Sequence, residues 1–143
     1  MDVVSWREFS RLAPALAQFT EERLGRAPDY LATVRPDGWP RVHPVGPLVP
    51  REGHLVVVMY PTSPKRHDLR RNGRFAVHAG VENEIGGNGE VLLTGEAVAV
   101  EPTEEEQKGG YVAFEMLIGE VVATRYDELG MNPSTERWSA GTM

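Results

Sequence analysis

The sequence predicts a mainly β fold, an antiparallel β-barrel with short flanking helices, and three observations carry that prediction. Short apolar and β-branched segments recur between Tyr30 and Tyr126. Turn chemistry separates them: Pro36-Asp37-Gly38 and Arg51-Glu52-Gly53 each put a glycine where the chain must reverse. Helical periodicity is sustained only before Gly25. A chain of 143 residues is one domain's length. The expected organisation is therefore a single domain over 1–143, with a helical segment at 5–25 and a barrel over about 29–126.

The elements follow in order. Ser5-Trp6-Arg7-Glu8 has the spacing of a capping box, with Ser at the cap and Glu three residues on. Trp6, Phe9, Leu12, Leu16, Phe19 and Leu24 then form a helical stripe that reads as core packing. Pro14 divides this segment and Gly25 ends it. Tyr30–Arg35 reads as a strand, and Arg41–Val49 as a second, with Pro44 and Pro47 marking an edge or a bulge. Leu55–Met59 is an unbroken apolar run, which predicts a strand buried on both faces. Ser63–Asn72 is short, polar and basic, is closed by Gly73, and reads as a helix. Phe75–Ala79 is a fourth strand and Glu90–Val100 a fifth, interrupted at Gly95. Between them, the glycines and asparagines of Gly80–Gly89 predict a mobile hairpin loop. Glu101–Glu106 opens with Pro and Thr and places acids where a helix start favours them, but Gly109-Gly110 limits any helix to about one turn. Tyr111–Ile118 and Val121–Tyr126 read as two more strands, and the tail through Trp138 has no element assigned.

Charge and composition exclude several classes. The net charge of −6 disfavours a nucleic-acid binder. The longest apolar run, Leu55–Met59, falls far short of the roughly 20 residues of a membrane span. Residues 1–10 show no basic stretch followed by an apolar one, so the expectation is a soluble cytoplasmic protein. The absence of cysteine removes disulfides, thiolate metal sites and cysteine nucleophiles. His43, His54, His67 and His78 lie 11 to 13 residues apart and share no ligand spacing, so no metal site is expected. Nucleophile-elbow, phosphate-loop and zinc-protease motifs are missing.

One stretch stands out chemically. Residues 65–74 hold five of the fifteen basic residues, directly after the most apolar strand. Ser63 and Lys65 fall at the start of the short helix, where free N–H groups and the helix dipole favour an anion. A hydroxyl, an ammonium and a guanidinium together suit a phosphate monoester. The bland alternative is a solvated basic face.

The wider pattern weighs toward the phosphate. Tyr30-Leu-Ala-Thr-Val-Arg-Pro-Asp-Gly-Trp-Pro-Arg-Val-His-Pro-Val45, followed by Ser63-Pro-Lys65 and Asp68-Leu-Arg-Arg-Asn-Gly-Arg-Phe-Ala-Val77, resembles the pyridoxamine 5′-phosphate oxidase-like split-barrel superfamily. The resemblance is good over residues 28–100 and weaker elsewhere. It implies a six- or seven-stranded Greek-key split β-barrel, homodimeric, with FMN held at the dimer interface. It places Ser63, Lys65 and Arg66 on the phosphate, His43, Pro44 and Val45 along the ring and ribityl chain, and Met59 and Tyr60 at the end of the next strand. His43 stands where the oxidase carries an arginine. The oxidase's C-terminal substrate motif is replaced here by Glu136-Arg-Trp-Ser-Ala-Gly141, so pyridoxamine phosphate oxidation itself is not expected.

The expectation from this resemblance is an FMN-dependent oxidoreductase that moves a hydride to or from a small organic substrate, with a nicotinamide as a conceivable donor. Substrate contacts would come from the 80–89 loop, the N-terminal helices and the tail. No catalytic residue is assigned, although Tyr60 and His43 are the candidates for proton transfer. Two alternatives keep the fold. One uses a deazaflavin coenzyme, which the ratio of 13 arginines to 2 lysines weakly favours as a mark of a GC-rich genome. The other binds flavin or haem without catalysis.

Overall fold

The computed structural model describes residues 1–26, 28–79, 89–127 and 131–141. Ser5 caps α1 (Trp6–Leu12), its hydroxyl accepting from the Glu8 N–H at 3.2 Å as the box spacing predicts. Pro14 opens α2 (Pro14–Leu24), a position where a missing N–H leaves no bond unmade. The strands are β1 (Asp29–Val34), β2 (Pro40–Val45), β3 (Val56–Met59), β4 (Arg74–Ala79), β5 (Gly89–Val100), β6 (Val112–Arg125) and β7 (Ser134–Ser139). Two further helices are α3 (Pro64–Arg71) and α4 (Glu104–Lys108), the latter closed by a full capping box between Thr103 and Glu106.

All pairings are antiparallel and form one seven-stranded sheet in the order β2-β1-β4-β5-β6-β3, with β7 also on β6. The sheet is a split barrel whose opening lies between its two end strands, β2 and β3. The long β6 is covered in turn by β3 at Val112–Glu115, by Val4 bridging Ile118, and by β7 at Glu120–Arg125. Inside sit Leu31, Val77, Leu93, Met116, Ile118 and Val121, all essentially inaccessible. The helical stripe closes on them: Trp6 meets Phe9 edge-on at 5.3 Å, and Phe9 packs on Trp138 at 4.8 Å. Among the described residues no helix is long and apolar enough to cross a membrane.

The structure corrects four expectations. The two final strands are one, β6, because Gly119 is not a break. The β5–β6 register shifts there: Thr94 faces Glu120 and Gly95 faces Ile118, leaving Gly119 as the extra residue of a bulge. Gly95 likewise does not interrupt β5; it allows close approach, since a Cβ there would run into the Leu117 carbonyl. The Leu55–Met59 run is not buried on both faces. Leu55, Val57 and Met59 are buried while Val58 is exposed, as befits an end strand with one face on the core. The second strand stops at Val45 rather than Val49, and the tail forms β7. The Gly80–Gly89 loop lies outside the described residues except for Gly89, which begins β5.

Candidate functional site

Each end strand of an open sheet leaves a row of backbone N–H and C=O groups unpaired. Here two such edges line one cleft of about 450 Å³. Pro44, Val45 and Gly46 form one side, Val58, Met59 and Tyr60 the other, and Thr62, Ser63, Pro64 and Lys65 bring in the start of α3. Tyr111 completes the wall.

The start of α3 is arranged unusually. Ser63 occupies the cap position with extended backbone, yet its side chain makes no capping bond. It accepts instead from Lys65 Nζ at 3.0 Å. The hydroxyl proton therefore stays free to be donated, and the pair presents two kinds of donor to the cleft. Burial pushes the Lys65 ammonium below the ordinary lysine range. Among the described residues no carboxylate compensates it. A partly desolvated cation without a counter-charge favours an anion beside it.

A buried carboxylate holds this helix in place. Asp68 accepts from Thr33 Oγ1 and from Arg41 Nε, each at 2.7 Å, and Arg71 lies 3.8 Å from its other oxygen. Burial alone would raise the Asp68 carboxyl. The hydrogen bonds from Arg41 and Thr33, with the charges of Arg41 and Arg71, outweigh that and hold it below the usual aspartate value. Because Thr33 is on β1 and Arg41 on β2, the network ties α3 to both strands, and Leu69 adds apolar anchorage.

Of the residues singled out from sequence, Pro44, Val45, Met59, Tyr60, Ser63 and Lys65 line one cleft. His43 and Arg66 are not among its lining residues. His43 lies close behind: burial first, then the charges of Lys65 and Arg41, lower its pKa against the opposing pull of Asp68. Its environment therefore disfavours the charged imidazolium. Arg66 lines a separate groove with Arg70.

Tyr111 is the residue that sequence reasoning missed. Its ring stacks on Tyr60 with centroids 4.8 Å apart and planes at 28°. Its hydroxyl donates to the Tyr60 hydroxyl at 3.3 Å, and that bond is the main cause of its raised pKa. A partner 51 residues away leaves no local signal. The cleft thus combines an aromatic wall, apolar strand edges and a polar cationic end, which suits a planar ring carrying a phosphate. Among the described residues no group of three or more His, Asp or Glu is placed to hold a metal.

A hollow of similar size, about 430 Å³, lies farther along β3. Its one cation, Arg51, is already paired with Glu106 at 2.8 Å, and His54 Nδ1 meets Glu115 at 2.7 Å. The cleft, with its unpaired ammonium, is the better ligand site.

A split barrel with this cleft defines a class, and the comparisons agree. The sequence model of the pyridoxamine 5′-phosphate oxidase family matches residues 15–137, and the chain belongs to that family. Among solved structures, a NimC/NimA family protein from Clostridium acetobutylicum is similar at 19% identity, over 85% of this chain and 92% of that one, with a TM-score of 0.63. An F420 reductase is similar at 20% identity, over 71% of this chain and 94% of that one, with a TM-score of 0.57. A haem-binding protein from Mycobacterium smegmatis is similar at 15% identity, over 85% of this chain and 57% of that one, with a TM-score of 0.59. At these identities the likeness is one of fold. No curated protein matches the sequence.

Proposed function

We propose that this protein is a flavin-dependent oxidoreductase that holds FMN in the cleft between β2 and β3 and acts on a small organic molecule. The observation that carries the reading is Lys65. It is a partly desolvated ammonium with no carboxylate partner among the described residues, bonded to a serine whose proton remains available, at the end of an apolar and aromatic cleft. Lys65 and Ser63 would hold the phosphate. The Tyr60–Tyr111 stack and the side chains of Pro44, Val45 and Met59 would flank the ring. The unpaired edges of β2 and β3 offer N–H and C=O groups that orient its polar rim. Bound FMN supplies the hydride chemistry, and the chain's task is to bind, orient and limit access of water.

The reading includes a homodimer. Tyr30, Val42, Val58 and Tyr60 are large apolar or aromatic residues exposed on and beside the end strands. An exposed apolar set of that kind calls for cover, and a second copy supplies it. Sedimentation at micromolar concentration should give about twice the 15.8 kDa chain mass.

The test of function is the absorption spectrum of the purified protein followed by stopped-flow mixing with NADH and NADPH. Oxidised-FMN bands that bleach with a nicotinamide support the reading. The names of the similar structures supply the competitors. A deazaflavin band, with turnover only when reduced deazaflavin is supplied, would move the protein to that cofactor. A Soret band without electron transfer would make it a haem binder.

A further inference from the structure

We propose a second ligand site on the other side of α3, a groove that takes a small organic carboxylate. Arg66 and Arg70 stand one helical turn apart, so both guanidiniums face the same way. They border a groove of about 280 Å³ whose remaining lining is apolar, chiefly Val100 at the end of β5, Pro102 beyond it, and Val112 and Phe114 at the start of β6. None of its lining residues is shared with the flavin cleft.

Two facts select the ligand class. Neither Arg66 nor Arg70 has a side-chain partner among the described residues, although acids outnumber bases 21 to 15 in this chain. Arg35, Arg41, Arg51 and Arg125 each find a carboxylate. Arg66 and Arg70 are therefore positioned to meet an anion from outside, and a guanidinium fork matches a planar carboxylate. The apolar lining then asks for a hydrophobic body on that anion, and the small volume limits it to one or two rings. An inorganic anion would leave the lining wet, and an uncharged ring would leave the guanidiniums unused. The site stands apart from the flavin reading and does not need it.

The probe is 1-naphthoate, titrated by its fluorescence into the full-length protein, with 1-naphthalenemethanol as the uncharged control. Saturable binding is expected, weakened at least about tenfold in Arg66→Gln/Arg70→Gln and by a similar factor for the alcohol, which corresponds to losing one charged hydrogen bond. Arg70→Gln alone should give an intermediate loss if the double variant folds poorly, with folding checked by circular dichroism. Saturating FMN should not displace the naphthoate. Failure to saturate, equal binding by wild type and variants, or displacement by FMN would each overturn the proposal. A shift of the double variant to a different oligomeric state would also overturn it, by assigning the groove to contact between copies.

Discussion

The β5–β6 wall and the β2/β3 opening are built from the same kind of chain and behave oppositely. β5 and β6 pair over twelve positions, and Val91, Leu93, Met116, Ile118, Val121 and Ala123 are sealed from solvent between them and the rest of the core. β2 has no buried residue at all, and β3 is four residues long with a partner on one side only. Apolar burial contributes roughly 25 cal/mol per Å², so the wall carries the stability. The opening keeps unpaired backbone, an exposed tyrosine and a partly desolvated lysine, none of which helps the chain fold. Those liabilities are what a ligand can satisfy.

The sharpest way to break this comparison is to truncate one residue in each region. Leu93→Ala should lower the unfolding free energy by about 2–5 kcal/mol, through lost burial and a residual cavity. Val49→Ser, just beyond β2 and 56% exposed, should change it by no more than about 0.5 kcal/mol. Urea unfolding of both variants measures the contrast, and similar losses would erase it.

Asp68, on α3 beside the opening but itself buried, should fall between them. Asp68→Ala removes two charge-assisted bonds and leaves Arg41 unpaired, which should cost about 2–4 kcal/mol. It should also weaken FMN binding, because α3 loses its tie to β1 and β2. The pH dependence has a definite sign. The folded-state pKa of Asp68 is depressed, so its contribution is fully present above the unfolded value of about 3.9 and is lost as pH falls through the lower folded value. The stability gap between wild type and Asp68→Asn should therefore be flat at neutral pH and shrink below about pH 4. A gap that is constant down to pH 2 would show that the carboxylate charge does not matter.

The same contrast explains what could be read from sequence. Ser5, Pro14 and the stripe from Trp6 to Leu24 report local rules, and both N-terminal helices form where those rules put them. Alternating apolar residues likewise locate β1, β4 and β5. Gly119 misled because a bulge and a break use the same residue, and only the partner strand decides between them. β7 was invisible because Ser134–Ser139 is almost wholly polar and exposed; its one inward anchor is Trp138 on Phe9. In the cleft, Ser63 and Lys65 were legible as a serine and a lysine at a helix start. Tyr111 and the Asp68 network were not, since each depends on strands brought together from distant parts of the chain.

The central claim is that an anion belongs beside Lys65, and FMN titration of wild type and Lys65→Ala tests it most directly. The variant should bind FMN more weakly by about 1.5–3 kcal/mol, the worth of one charged hydrogen bond. Its urea midpoint without flavin should move by less than about 0.5 kcal/mol equivalent, because the ammonium makes no ion pair among the described residues. Equal flavin affinities would contradict the account and reduce the start of α3 to a solvated basic face.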